Sequence, residues 1–287
     1  MSRLEKALEK AVEIRKTAQK AATEETTSAA PLESFHGFEV GEIIVKPDNV
    51  DRHIVCITEP FSPAAEQYKK LRARILKDTA KDFLNTIMIT SSDISEGKTI
   101  TALNLAVAMA KEIDHTVLLV DNDLRNPSIH KYLGIESKYG LSDYLIGKVE
   151  IPDILIKTGI GKLVVLPAGN PPKNSAELIS SERMKRLVHE MKHKYRDRYI
   201  IFDSSPILLA ADALTLCTLM DGIILVIQAD RTQQKTASQA TSLLKGSKIL
   251  GIVFNNVPNY YLNYYGNGKY YRKYMNDVNP ELRKGMY

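Results

Sequence analysis

From residue 84 onward, short apolar runs alternate with longer stretches in which apolar positions recur every three or four residues. The runs fall at 86–90, 116–121, 163–167, 199–203, 222–228 and 249–254, and are rich in Val, Ile and Leu. Runs of that length and content suit strands buried on both faces. The intervening stretches suit helices. From Ile100 to Lys111, for example, Leu103, Leu105, Ala106, Ala108, Met109 and Ala110 provide a surface to pack on a sheet. The alternation predicts βαβ units, hence an α/β fold with a mainly parallel sheet and helices on both faces.

The chain before residue 84 is less regular. Residues 53–57 predict a short strand, and Pro63-Ala64-Ala65-Glu66 opens a predicted helix carrying Tyr68, Leu71 and Ile75. In residues 2–22, Leu4, Ala7, Leu8, Ala11, Val12 and Ala18 fall near one helical face. Such a helix either docks on a partner or frays without a fixed contact. Residues 23–31 are polar and aperiodic, which marks a linker. The expected organisation is an N-terminal amphipathic helix over 1–22, a linker over 23–50, one large domain over 51–258 and a tail over 259–287.

Composition narrows the class. Among 287 residues, 44% apolar and 25% charged are ordinary proportions for a soluble globular protein. The longest apolar candidate for a membrane span, 206–229, contains Asp212, Asp221 and Gly222. Each central Asp costs about 2.5–3.5 kcal/mol on insertion, so a helix followed by a buried strand explains it better. No signal-peptide pattern opens the chain, and the expectation is a protein with no transmembrane segment of its own. Cys56 and Cys217 stand far apart, which predicts neither a disulfide nor a thiolate metal site and fits a reducing cytoplasm. The net charge of +5 sits at the ends: residues 1–22 hold six Lys/Arg against three Glu, and 260–287 hold five against Asp277 and Glu281. A near-neutral middle argues against a nucleic-acid-binding face.

The chemistry begins at Ser91-Ser92-Asp93-Ile94-Ser95-Glu96-Gly97-Lys98-Thr99, between a predicted strand and a predicted helix. This is the layout of a nucleotide-phosphate loop, G-x-x-x-x-G-K-[ST], with Ser92 in place of the first glycine. Lys98 is placed to reach β- and γ-phosphates, and Thr99 to hold Mg²⁺. The second strand ends in Asp121-Asn122-Asp123-Leu124-Arg125 and the fourth in Asp203. Carboxylates at the carboxyl ends of parallel strands face the crevice where ligands of open α/β sheets bind. There they can serve a metal ion and a proton acceptor together. No Asn-Lys-x-Asp occurs, which disfavours guanine; Asn255 and Asn256 end the last strand, to meet an adenine edge or to make a turn.

Two further patterns need weighing. His189-Glu190-Met191-Lys192-His193 matches the zinc-protease H-E-x-x-H. Helical geometry puts both histidines opposite the stripe of Met184, Leu187, Val188 and Met191, beside Lys185, Arg186, Lys192 and Lys194, so no zinc site is expected. Eight of the fourteen tyrosines lie in the last 28 residues: Tyr260, Tyr261, Tyr264, Tyr265, Tyr270, Tyr271, Tyr274 and Tyr287. Gly266-Asn267-Gly268 interrupts helix and strand alike there, so the hydroxyls read better as groups to be modified than as core.

Taken together these residues resemble the bacterial tyrosine autokinases of exopolysaccharide synthesis, which have a three-layer P-loop nucleoside triphosphatase fold. Gly140-Leu141-Ser142-Asp143, Leu166-Pro167-Ala168-Gly169, Asn174 and Glu177-Leu178 are also similar to family segments, and residues 2–11 look like the cytoplasmic subgroup encoded with exosortase-type loci. Asp93 stands where related partition ATPases carry a lysine. The resemblance implies ATP and Mg²⁺ as cofactors. Ser95, Glu96, Gly97, Lys98, Thr99, Ile100 and Asn255 would bind nucleotide, and Thr99, Asp123 and Asp203 would organise the metal. Lys98, Asp121, Asp123 and Asp203 would be catalytic, with Asp121 accepting the tyrosine proton and Asp123 the alternative. Tyr260, Tyr261, Tyr264, Tyr265, Tyr270, Tyr271 and Tyr274 would be the acceptors. Glu66, Lys69 and Arg72 would form a subunit contact, in which Lys69 replaces an arginine and loses its bidentate geometry. Implied partners are further copies in a homo-oligomer, a ring being one form, a membrane chain-length determinant (polysaccharide co-polymerase) and a tyrosine phosphatase. The location would be cytoplasmic, with recruitment to the inner membrane through the partner. A partition- or division-site-type ATPase switch without kinase activity is the competing reading, and a degenerate ATP-binding scaffold the third.

Overall fold

The computed structural model describes residues 41–112, 115–194 and 198–258. Its strands are β1 (Gly41–Glu42), β2 (Thr86–Ser91), β3 (Thr116–Asp121), β4 (Ile156–Lys157), β5 (Leu163–Leu166), β6 (Arg198–Asp203), β7 (Gly222–Gln228) and β8 (Ile249–Asn255). They form one sheet in the order β1-β4-β5-β3-β6-β2-β7-β8. Every pair is parallel except β4 with β5. All six predicted runs are strands.

The period-two geometry of a strand divides each apolar run between two cores. Ile87, Ile89, Val117, Leu119 and Ile201 face one layer, while Met88, Val120, Ile200 and Phe202 face the other. Helices α1 (Val55–Thr58), α2 (Pro63–Thr79), α3 (Lys98–Ala110) and α4 (Ile129–Leu133) cover the first face. Helices α5 (Leu141–Ile146), α6 (Ser175–Ile179), α7 (Glu182–Lys194), α8 (Ala211–Cys217) and α9 (Gln234–Leu243) belong to the second. The result is the three-layer α/β P-loop fold. The α2 start is well marked, with Pro63 in its first turn and the Ser62 hydroxyl accepting the Ala65 N–H at 3.1 Å. Cys56 and Cys217 are buried, unpaired, and in different cores. On α7, Met184, Leu187, Val188 and Met191 are buried while His189 and His193 are exposed.

Two expectations need correction. Residues 53–57 are not a strand: 55–58 form α1. The cause is Asn104 on α3, whose Oδ1 accepts the Cys56 N–H at 2.9 Å and whose Nδ2 donates to the His53 carbonyl at 2.9 Å. With Lys111 donating to the Cys56 carbonyl at 2.6 Å, the segment finds its hydrogen bonds on α3 rather than on a neighbouring strand. Residues 41–50, assigned to the linker, take part in the packed unit. β1 pairs with β4, and Val45 and Val50 are buried in the first core. The helix expected over 1–22 and the tail expected over 259–287 lie outside the described residues.

Asn104 is fully buried, so replacing it strands both a backbone donor and an acceptor. Asn104→Ala is expected to destabilise the fold by about 1–3 kcal/mol. The check is a urea denaturation midpoint at unchanged slope; an unmoved midpoint would show that α1 does not depend on this side chain.

Candidate active site

Strand order decides what meets at the carboxyl edge of the sheet. β6 lies between β3 and β2, and Asp121 and Asp203 are register partners across β3 and β6. The turn that follows β2 therefore opens beside both carboxylates. It ends at Gly97, whose φ of 91° favours glycine and where a Cβ would stand 2.0 Å from the Asn255 amide nitrogen. α3 starts at Lys98, so its unpaired N–H groups and positive dipole end belong to this edge.

The turn is braced from its outer side by Glu96. One carboxylate oxygen accepts the Ser92 and Asp93 N–H groups at 2.7 and 3.0 Å, and the other accepts the Thr232 hydroxyl. The Glu96 carbonyl accepts the Asn255 amide at 2.9 Å, and the Ser95 carbonyl accepts Arg231 at 3.4 Å. Ser92, which stands where the motif has glycine, is not among the described left-handed residues, whereas Ser95 is, with φ of 60°. The backbone thus does not demand glycine at 92, and the strain of roughly 1–2 kcal/mol falls on 95. The Ser92 hydroxyl, buried without a hydrogen-bond partner, is the penalty left by the substitution.

Inside the turn, Lys98 Nζ lies 2.7 Å from Asp123 Oδ2 and 3.7 Å from Asp203 Oδ1, and donates to the Thr99 hydroxyl at 3.2 Å. Thr99 donates to Asp203 Oδ2 at 2.7 Å. Asp123 Oδ1 accepts the Ser205 hydroxyl at 3.0 Å and the Asn126 N–H at 3.2 Å. Asp121 Oδ2 accepts the N–H groups of Ser128 and Ile129, both at 3.1 Å, at the start of α4. Burial pushes the Asp121 carboxyl up to about 8, with the Asp203 charge adding to it. Burial likewise raises Asp203 to about 6, against Lys98 and the Thr99 hydroxyl. For Lys98, burial favours the neutral amine, but Asp203 and Asp123 outweigh it and hold the ammonium above its ordinary range.

The chemistry of this donor set fits a cation and a polyphosphate. Asp121 Oδ1 and Asp203 Oδ1 are buried without hydrogen-bond partners. Among the described residues no three His, Cys, Asp or Glu side chains converge to hold a metal by themselves. Mg²⁺ usually takes one or two carboxylates and completes its shell with water and phosphate, which Asp203 and Asp123 beside the Thr99 hydroxyl fit. A cavity of about 580 Å³ opens at this edge, lined by Ser95, Gly97, Lys98, Thr99, Ile100 and Asp123 among others, with Asp121 and Asp203 buried and off its wall.

Of the residues singled out from sequence, the structure gathers Lys98, Thr99, Asp121, Asp123 and Asp203, and places Ser95, Gly97 and Ile100 on the cavity wall. Glu96 and Asn255 are not on it: their side chains are spent on the outer brace. Glu66 pairs with Lys69 at 3.3 Å along α2, and Arg72 is likewise engaged within the chain. It donates to the Ala108 carbonyl at 3.1 Å and pairs with Glu112 at 2.6 Å, satisfying the end of α3. The acceptor tyrosines lie outside the described residues. Sequence reasoning missed Ser128, Ser205, Asn126 and Thr232. Ser205 stands two residues beyond Asp203, and Asn126 and Ser128, in the loop that follows β3, lie close in sequence to the aspartates they contact; Thr232 alone has no such neighbour and reaches the site through the strand order.

Residues 85–248 match a family model described as an AAA domain. The chain is 38% identical over 208 residues to the tyrosine-protein kinase YwqD of Bacillus subtilis, covering 72% of this chain and 86% of that protein. Among solved structures it resembles the kinase domain of the Escherichia coli tyrosine kinase ETK, with a TM-score of 0.67 at 26% identity over 80% of this chain and 95% of that one. The chimerical protein CapA2B2 also gives 0.67, at 29% identity over 79% of this chain and 98% of that one. With a lysine and threonine at the head of α3 facing three strand-end aspartates, the chain belongs to the bacterial tyrosine-protein kinases built on the P-loop fold.

Proposed function

We propose that the protein transfers the γ-phosphoryl group of ATP to tyrosines of its own tail, between copies. In this reading it regulates exopolysaccharide polymerisation and export together with a membrane chain-length determinant. The observation that carries the reading is the convergence of Lys98, Thr99, Asp123 and Asp203 beside the unpartnered oxygen of Asp121. Mg²⁺, held by Thr99, Asp123 and Asp203 directly or through water, would supply charge neutralisation for the transferring phosphate. Lys98 exchanges its carboxylate partners for phosphate oxygens, and the N–H groups at the head of α3 hold the remaining phosphate charge. Asp121 Oδ1 takes the proton of the tyrosine hydroxyl as its oxygen bonds to the γ-phosphorus and the bond to ADP breaks. Asp121 suits this role better than Asp123, whose two oxygens are both engaged.

Among the described residues no helix is long and apolar enough to cross a membrane; in this reading a membrane partner recruits the protein to the inner membrane. Residues 2–11 support the exosortase-locus subgroup. Assembly into a homo-oligomer, a ring in the fullest form, would use Glu66, Lys69 and Arg72 on α2. Each phosphotyrosine adds about −1.5 to −2 charge, so a few reverse the basic excess of the tail and loosen the assembly until a phosphatase resets it.

Full-length protein incubated with MgATP should carry phosphotyrosine on the tail. Lys98→Met or Asp121→Asn should reduce the label by about 10²-fold or more. Wild-type protein mixed with Lys98→Met should label the variant's tail; label confined to wild-type copies would exclude transfer between copies. ATP hydrolysis with no phosphotyrosine at all, even with the partner's cytosolic segment present, would leave a nucleotide switch in place of a kinase.

The raised carboxyls set the pH dependence. Asp121 and Asp203 retain protons up to about 8 and about 6, and those protons must leave before a dication or a tyrosine proton can be accepted. kcat/KM for MgATP should therefore rise with pH between about 6 and 8 and level off above, with proton release detectable by titration calorimetry in buffers of different ionisation heat. A flat profile over that window would mean the carboxyls are already ionised.

A further inference from the structure

The outer brace has one member from the last strand. Asn255 ends β8, 159 residues beyond Glu96, and only Asn256, Val257 and Pro258 separate it from the tyrosine-rich tail. Its amide donates to the Glu96 carbonyl at 2.9 Å and fills the space over Gly97 that a Cβ would need. A loop that turns N–H groups inward toward phosphate turns carbonyls outward, and an outward carbonyl in a partly buried setting needs a donor. Asn255 is that donor. The next residue, Asn256, has φ of 53°, so the chain turns sharply where it leaves the sheet. Three residues, 256–258, thus join the residue that holds the phosphate loop to the start of the tail.

We propose that Asn255 is a positioning residue for the phosphate loop, and that through it the state of the tail and the affinity for nucleotide are coupled. The inference rests on the nucleotide reading given above. Asn255 touches no reacting atom; it acts through the Glu96–Gly97 peptide, and so bears on how tightly phosphates are held rather than on the transfer step. Coupling of this kind is reciprocal: if nucleotide favours one arrangement of the loop and of Asn255, engagement or phosphorylation of the tail changes nucleotide affinity by the same factor.

The test uses the full chain, with a fluorescent ADP as probe and tail phosphorylation as the kinetic readout. Asn255→Ala should weaken ADP binding and raise the KM for ATP by about tenfold, a usual size for such coupling, with kcat at saturating ATP within about threefold of wild type. Asn255→Asp keeps the shape but offers a carboxylate to a carbonyl, so it should be no better than Ala; if Asp restores affinity, Asn255 is a packing group and the proposal fails. In wild type, ADP affinity should differ between phosphorylated and phosphatase-treated protein, and the difference should vanish in Asn255→Ala. Unchanged ADP affinity in Asn255→Ala, or an equal loss in kcat and kcat/KM, overturns the proposal while leaving the kinase reading intact. Failure of the wild-type chain to bind ADP would instead overturn the nucleotide reading itself.

Discussion

Three carboxyl groups, Asp121, Asp123 and Asp203, are buried at one sheet edge, and Lys98 is the cation that pairs with two of them. Burying charge is expensive unless it is paired, and here the pairing is incomplete by design of the sheet. β3 and β6 are held in register by side chains packed on both faces, so Asp121 and Asp203 cannot move apart to relieve their repulsion. The relief comes from protons on the carboxyls, from Thr99, Ser128 and Ser205 as donors, and from the head of α3. The hydrophobic layers thus do more than stabilise the fold. They concentrate acidic groups at a place where a dication can compensate their charge, while Lys98 and the head of α3 would face the phosphate.

The phosphate loop solves a complementary problem. Its inner face must keep N–H groups for a ligand, so its outer face must be secured by something other than regular structure. Glu96 does this by accepting two loop N–H groups and the Thr232 hydroxyl, while Asn255 and Arg231 donate to the outward carbonyls. In this frame Ser92 is less of an anomaly than the motif suggests. The left-handed positions in the loop are 95 and 97, and the serine at 92 adds a buried hydroxyl at a position that does not need glycine's freedom.

What was legible in the sequence follows from how local each signal is. The six central runs could be read because strands buried on both faces have an unmixed apolar pattern. Lys98, Thr99, Asp121, Asp123 and Asp203 could be read because each sits at a strand end or helix start within a few residues of its context. β1 and β4 are two residues each, too short to carry a period. Residues 53–57 have strand-like composition, but Asn104, about fifty residues away, supplies the hydrogen bonds of a helical turn. Glu96 and Asn255 lie at positions that suggest ligand contact, and their side chains face the other way. Direction there is set by Thr232 and by the neighbouring ends of β7 and β8, which no local pattern encodes.

The same burial that makes the site attractive to a cation also bears on why tyrosine rather than water receives the phosphate. A carboxyl held up to about 8 keeps its proton at neutral pH and is a poor base until positive charge arrives beside it. In the proposed mechanism Asp121 becomes competent only as the site is loaded, and the oxygen that would accept the proton is the one without a hydrogen-bond partner. Its other oxygen stays tied to two N–H groups at the start of α4, which fixes the carboxyl plane. A fixed base of this kind favours a nucleophile that is itself held in place. A side-chain hydroxyl carried on a docked segment meets that requirement, whereas a water molecule has to be positioned by further donors. Ser128 donates its N–H to Asp121 and its hydroxyl to Thr99 at 3.5 Å, so the donors nearest the base are already committed to the protein.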